Sequence, residues 1–189
     1  KDISIPKNLR SFVNVFDQFF PNATGMPVVQ LKAGEVVTGS FLKALSISLT
    51  FLLLFLFFIF KKKIYVFLCF CSLISAFILT VFFMIVLKIN LNFANMISLP
   101  LLFSLGISYS IYFLKRHEEL GGLNEIFKSN TPLAILFSGL TTIFSFSTLY
   151  LSPHSGTSSM GALLFISLMT TLISSLILLP LFIRLISFK

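Results

Sequence analysis

The sequence predicts an all-α integral membrane protein with five transmembrane helices. Hydrophobic residues make up 57% of the 189 residues and charged residues only 11%, which leaves too little polar surface to cover a soluble globule. Apolar runs that could cross a hydrocarbon core of about 30 Å recur along the chain. All six acidic residues lie outside these runs, as expected because an ionised carboxylate at mid-bilayer costs about 3 kcal/mol.

The segment before the first span has the character of a soluble protein. Pro6 suits the first turn of a helix, and apolar residues follow at helical spacing until Pro21. Residues 22–25 are typical of a turn, and the valine-rich residues 27–32 predict a short strand. This small α/β piece cannot bury a core of its own. We therefore predict two regions, 1–35 outside the membrane and a membrane domain at 36–189, with spans at 40–60, 64–87, 93–114, 133–151 and 158–183.

Basic residues predict the orientation of the spans. Eight Lys and Arg residues follow the first, third and fifth spans, whereas the two opposite loops contain only Lys88. Under the positive-inside rule, the first group lies in the cytoplasm. The N-terminal segment is then periplasmic and the C-terminus cytoplasmic, in a bacterial inner membrane. An odd number of spans after an exported segment leads us to expect an upstream helix in a longer polypeptide.

The sequence contains few candidates for chemistry. The net charge of +8 is distributed at the ends of spans, which argues against nucleic-acid binding. Cys69 and Cys71 are two apart on a helix and point away from each other, so buried apolar cysteine is favoured over a metal site or disulfide. His117 and His154 are solitary loop residues. We predict no enzyme activity, no metal and no cofactor.

Hydroxyl residues form stripes on the last three predicted spans. One interpretation is tight packing, since small and hydroxyl residues let membrane helices approach and bond across the interface. The other is a polar interior coupled to ion or proton movement, which requires a titratable group on the facing surface. The predicted spans contain no acidic residue and no histidine to serve as such a group. The stripes are Ser104, Ser108 and Tyr112; Ser138, Thr141, Thr142 and Ser145; and Ser167, Thr170, Thr171, Ser174 and Ser175.

Several stretches resemble the resistance–nodulation–division (RND) transporters of the mycobacterial-membrane-protein-large (MMPL) type, especially the hopanoid exporters. Residues 92–109, NFANMISLPLLFSLGISY, resemble the fourth helix of a half-repeat in that family. Residues 136–146 resemble its fifth helix, and residues 151–161 resemble the loop that enters the sixth. Residues 9–12, 21–25 and 31–34 resemble the end of the second external porter domain. The resemblance covers nearly the whole chain and implies helices eight to twelve of a twelve-helix transporter.

One departure from the family pattern concerns the proton carrier. The family has Gly-x-Asp-Tyr or Gly-x-Asp-Phe, with a membrane-embedded Asp, where this chain has Gly106, Ile107, Ser108 and Tyr109. A serine hydroxyl does not titrate near neutral pH and cannot carry the proton. The resemblance thus implies a degenerate proton-relay position at Ser108 and Tyr109. A supporting polar face is predicted at Ser104, Tyr112, Thr141, Thr142 and Ser145.

The resemblance implies half of a transporter that exports a lipid or another hydrophobic compound, normally driven by protons. Its expected partners are the N-terminal half of the same transporter, the membrane and the lipid substrate, in a homo-oligomer. The alternatives are a remnant that does not transport, or a structural or accessory membrane subunit, because Ser108 replaces the Asp.

Overall fold

The structure is a computed structural model that describes residues 11–13, 15, 18–20, 25–89, 92 and 98–187. The chain divides into two compact units, Lys1–Leu45 and Ser46–Lys189. The described residues contain helices and no strand. Five helices are long and apolar enough to cross a membrane, by length and composition, which confirms the predicted all-α fold with five spans. These candidate spans are Leu31–Ile59, Lys63–Val86, Ser98–Leu120, Thr131–Leu151 and Ser155–Ile186.

In the first unit, the described residues between 11 and 19 are helical, as the apolar spacing predicts, and Val13 is buried. The other residues of that predicted helix and the turn at 22–24 lie outside the described residues. The predicted strand at 27–32 is wrong, because those residues belong to helix α1, Met26–Ile59. Because this strand is absent from the described residues, the predicted α/β porter piece is not supported. The boundary predicted between residues 35 and 36 stays a prediction.

Local chemistry explains why a helix replaces the strand. Pro27 is the second residue of α1, where its missing N–H would have had no partner within the helix. Leu31, Lys32 and Ala33 are good helix formers and outweigh the two valines. The Thr38 hydroxyl donates to the carbonyl of Gly34 at 2.8 Å, within the same helix. At 1.5 Å per residue, α1 is about 50 Å long and exceeds the hydrocarbon thickness.

In the second unit, the last span forms the centre of the bundle. The remaining helices in chain order are α2, Lys63–Val86; α3, Ser98–Leu120; α4, Leu123–Lys128; α5, Thr131–Ser147; α6, Ser155–Ile173; and α7, Leu179–Ser187. A 3₁₀ turn, Thr148–Leu151, follows α5, and a π-helical segment, Ser174–Leu178, joins α6 to α7. Helix α6 packs against α2, α3 and α5.

Glycines allow the close approach of the helices around α6. A Cβ at Gly106 of α3 would overlap the Thr171 side chain, and one at Gly139 of α5 would lie 2.6 Å from Leu172 Cδ1. Gly161 of α6 faces the backbone of the 3₁₀ turn, where a Cβ would lie 2.7 Å from the carbonyl carbon of Leu149. Small residues therefore let three parts of the chain come into contact with the last span, as is typical of membrane helices.

The π-helical segment ends two residues before Pro180. Proline lacks the N–H that would bond to the carbonyl four residues earlier, and its ring presses against that carbonyl. Widening the helix over Ser174–Leu178 relieves this clash, and the chain continues as α7 without a break. Ser174 and Ser175 are both fully buried in this segment.

Candidate functional site

The Ser108 position lies on a ridge of α3 that is not covered by the described helices. Ser104 and Tyr112 are exposed, the latter by 67%, and Ser108 is half-buried. The Ser108 hydroxyl donates to the carbonyl of Leu105 at 2.5 Å, and the Ser104 hydroxyl donates to Leu101 at 3.0 Å. These two hydroxyls are therefore satisfied within α3.

Tyr109 points toward α5. It is 5% exposed and interacts with the Thr142 side chain. Thr142 is half-buried and donates to the carbonyl of Ser138 at 2.9 Å. The structure therefore brings two of the predicted site residues together between α3 and α5.

Two other predicted site residues of α5 face outward. Thr141 and Ser145 are exposed. Their hydroxyls donate to the carbonyls four residues earlier, Phe137 and Thr141, each at 2.8 Å. Packing within this chain does not explain these hydroxyls, because the described helices leave them uncovered.

An open cleft of about 670 Å³ lies between α3 and the α4–α5 region. It contains three of the predicted site residues, Ser108, Tyr109 and Tyr112, but not Ser104, Thr141, Thr142 or Ser145. Its lining includes two cations and no carboxylate. The complete lining is Ser108, Tyr109, Tyr112, Arg116, Lys128, Ser129, Asn130, Thr131, Ala134, Ile135 and Ser138.

Sequence reasoning missed the buried hydroxyl cluster of Ser72, Ser110 and Ser174. Ser110 Oγ donates to Ser72 Oγ at 2.9 Å, and Ser72 Oγ lies 3.2 Å from Ser174 Oγ. Ser174 Oγ also donates to the Ser72 carbonyl at 2.7 Å. The three side chains are at most 1% exposed. They join α2, α3 and the π-helical segment, although Ser72 and Ser110 belong to none of the predicted stripes.

The stripe on the last span fits the packing interpretation. Its five residues are buried, and Thr170 Oγ1 lies 2.7 Å from Thr80 Oγ1 of α2. Among the residues that the structure describes, no buried polar side-chain atom lacks a hydrogen-bond partner. The hydroxyls of α6 and the π-helical segment thus serve helix association, whereas the exposed hydroxyls of α3 and α5 do not serve it within this chain.

A second contact that the sequence did not reveal joins the start of α2 to the end of α3. It lies at the end of the bundle opposite to Leu151. Tyr65 Oη lies 3.1 Å from Nδ1 of His117, and the two rings meet edge to face at 5.8 Å. Lys115 Nζ lies 5.9 Å from the centre of the Phe60 ring. His117 is therefore part of a packed contact, while His154 lies exposed in the loop before α6. Cys69 is fully buried and is a free thiol.

Comparison with known proteins identifies relatives of the chain. A protein of Rhodopseudomonas palustris (strain TIE-1) named hopanoid transporter HpnN is 37% identical over 164 residues, or 87% of this chain. The protein of the same name from Burkholderia multivorans (strain ATCC 17616 / 249) is 33% identical over 172 residues, or 91% of the chain. The chain is therefore similar, over most of its length, to a part of the hopanoid transporter HpnN. No protein-family model matches it.

The similarity to HpnN confirms the resemblance found in the sequence. Each alignment covers 19% of the HpnN sequence, so the chain spans about a fifth of the length of the curated relatives it matches. Together with the five apolar helices, this describes a multi-pass membrane chain that resembles a fragment of a larger transporter. The transporter names of the relatives favour a function other than catalysis.

Proposed function

We propose that this chain is the C-terminal membrane half of an RND-type transporter that exports a hopanoid-like lipid from the bacterial inner membrane. The similarity to HpnN supports the lipid class and the transport function. The exposed hydroxyl residues of α3 and α5 form a ridge with Ser108 at its centre. This ridge is the observation that supports the assignment as a half-transporter. In transporters built from repeats, substrate and ion sites form between the halves. The ridge is the surface that an N-terminal half would cover.

In this proposal, the N-terminal half supplies the proton-carrying Asp, and Ser108 is its hydrogen-bonding neighbour. Protonation of the Asp would bias the helices between two arrangements, and the external domains would convert that shift into movement of lipid. Ser108 itself contributes no titrating group. Tyr109, held against Thr142, would fix the position of α3 relative to α5.

A chain that does not transport, either a remnant or an accessory subunit, is the second candidate. The observation that favours it is the lining of the cleft, where the Ser108 hydroxyl bonds to its own helix and no carboxylate is present. A coding region before Lys1 that contains a Gly-x-Asp helix would support the transporter. A stop codon or frameshift there would support the remnant.

Replacement of Ser108 tests the proposal in a proton-driven efflux assay of the full-length protein. Ser108→Ala removes one hydrogen bond, for which we expect a loss of about 1 kcal/mol and weakened but measurable transport. Ser108→Asp places a second carboxylate near the first, and since two close carboxylates share a proton, the pH dependence of transport should shift. Thr50→Ala removes an exposed hydroxyl of α1 that bonds to its own helix, away from the ridge, and is the control that should transport normally.

The outcome for Ser108→Ala separates two roles of this residue. If Ser108→Ala abolishes transport as completely as loss of the Asp in the other half, Ser108 is a primary functional group and the neighbour role is wrong. If no variant affects transport and the Asp of the other half is also dispensable, proton coupling through this site is excluded.

Orientation is tested by single cysteines at Lys62 and Ser155, both exposed, in a background with Cys69 and Cys71 replaced by alanine. The proposed topology places residue 62 in the cytoplasm and residue 155 in the periplasm. A membrane-impermeant maleimide added to spheroplasts should therefore label residue 155 and not residue 62. Lysed membranes, in which both should react, provide the control. The reverse labelling would overturn the orientation.

A further inference from the structure

Three buried serines differ from many hydroxyl residues of the bundle in the place to which their protons go. Ser108 and Ser175, for example, each donate to a carbonyl of their own span. Ser110 of α3 and Ser174 of the π-helical segment donate instead to Ser72 of α2. The three serines are at most 1% exposed, so this chain itself encloses the contacts that join its three elements.

The number of protons fixes the direction of these bonds. A hydroxyl carries one proton, and a carbonyl oxygen can only accept. The Ser174 proton goes to the Ser72 carbonyl at 2.7 Å, so Ser72 is the donor in the 3.2 Å contact between the two hydroxyls. The Ser72 proton is then used, and Ser110 donates to Ser72 at 2.9 Å. The serines thus form a directed chain of hydrogen bonds from α3 to the last span.

A second contact holds α3 against the last span one turn away. Gly106 is four residues before Ser110 and lies on the same face of α3. A Cβ at Gly106 would overlap the side chain of Thr171, which is three residues before Ser174. Close packing at Gly106 and hydrogen bonding at Ser110 therefore hold the same two spans at two levels. Contacts at two levels resist both sliding and rotation of α3.

The serine chain tolerates little movement of α3. Helix shifts of about 1–2 Å are common in proteins that switch between arrangements. A slide of about 2 Å at a right angle to the 2.9 Å bond between Ser110 and Ser72 would lengthen it to about 3.5 Å, beyond the usual range for hydroxyls. Each serine could then donate to a carbonyl of its own helix. The chain can therefore open without leaving a buried proton unbonded.

We propose that the three serines form a lock, which holds α3 in one of the two arrangements of the transporter and opens when α3 shifts. Ser72 is its central positioning residue. The inference rests on the proposed function, because it requires a transporter with two arrangements. Ser110 is two residues from Ser108 on α3, so a shift that starts at the proton site reaches the lock along one helix. The serines do not titrate near neutral pH and act on the proton site through the position of α3.

A double-mutant cycle on the purified full-length protein tests whether the serines act as one chain. Ser110→Ala removes one hydrogen bond, and Ser72→Ala removes the bonds of its hydroxyl to both neighbours. We expect the unfolding equilibrium in mixed micelles to change about 3-fold and about 10-fold, respectively, at about 3-fold for each hydroxyl bond between membrane helices. In the Ser72→Ala background, Ser110→Ala should change it by less than about 1.5-fold, because the acceptor is already absent. Equal effects of Ser110→Ala in both backgrounds would overturn the chain.

The pH midpoint of proton-driven efflux separates a lock from simple packing. A lock that favours one arrangement also biases proton uptake by the Asp of the other half, so a 3-fold loss shifts the midpoint by up to about 0.5 pH unit. Ser110→Ala, Ser72→Ala and Ser174→Ala should shift it in the same direction, and Ser110→Ala should shift it least.

Thr80→Val is the matched control. Thr80 is 1% exposed, and its Oγ1 lies 2.7 Å from Thr170 Oγ1. This buried contact also joins α2 to the last span, but it does not include α3. The substitution keeps the shape of the side chain and removes the hydroxyl. It should change the unfolding equilibrium about 3-fold and leave the pH midpoint of efflux unchanged.

The outcomes distinguish failure of the lock from failure of the proposed function. If the wild type transports and the serine variants have its midpoint, or shift it in opposite directions, the lock is wrong and the proposed function stands. An equal shift in Thr80→Val would mean that lost stability alone moves the midpoint, and it would likewise overturn the lock. A wild type that does not transport lipid would overturn the proposed function together with the role of the lock in it. The double-mutant cycle would still decide whether the serines act as one chain.

Discussion

Gly161→Ala is expected to destabilise the protein by about 2–3 kcal/mol, although alanine is the better helix former by about 1 kcal/mol. A Cβ at this position would overlap the backbone N–H of Tyr150 and lie 2.7 Å from the Leu149 carbonyl carbon. A flexible side chain could rotate away, whereas the backbone of the 3₁₀ turn can yield only by separating from α6. Thermal unfolding of the full-length protein in detergent measures the loss.

Gly39→Ala is the matched control for this substitution. Gly39 is also inside a helix, but no atom lies within 4 Å of the position its Cβ would take. Helix propensity should then act alone and leave stability unchanged or raised by up to about 1 kcal/mol. If the two alanine variants unfold at the same temperature, the close approach of α6 to the turn is not as described.

Phe113→Ala is expected to cost about 3 kcal/mol or more, because it removes a large fully buried side chain and leaves a cavity. Phe113 is 0% exposed, and its ring lies 6.1 Å from that of Phe127 of α4 at an angle of 64°. Loss of the ring should loosen α4 as well as lower the melting temperature. Hydrogen exchange of 123–128 would report on α4 separately.

The matched control for Phe113 is Phe58 of α1, whose side chain is 89% exposed. Phe58→Ala removes the same atoms without creating a cavity, so we expect a change of under about 1 kcal/mol. Equal destabilisation by both substitutions would show that bulk apolar area, rather than packing around Phe113, determines stability.

The five spans could be predicted because a bilayer requires a certain length and an apolar composition of each helix that crosses it. Both properties can be counted directly along the sequence. The exact ends of the helices could not. At 27–32, two adjacent valines suggested a strand, yet Pro27 is at the start of a helix and Lys32 and Ala33 continue it. β-branched residues occur in helices wherever neighbouring residues and context favour a helix.

Side-chain faces were only partly predictable. The spacing correctly places Ser104, Ser108 and Tyr112 on one face of α3, but it does not say whether that face is covered. In the structure, a covered hydroxyl of α3 is that of Ser110, which bonds to Ser72 and lies outside the predicted stripe. Contacts between helices depend on crossing geometry, and one sequence read by itself contains no direct record of it.

The π-helical segment before Pro180 changes the direction in which the later side chains of the last span point. A π-helical turn closes with hydrogen bonds between residues five apart, so it contains about one residue more than an α-helical turn. The buried side chains beyond it are Leu179 and Ile183. The wider turn therefore acts as a one-residue insertion that rotates the rest of the helix by about 100°. Removal of one residue from Ser174–Leu178 would restore the regular phase before Pro180 and turn a different set of side chains toward α2.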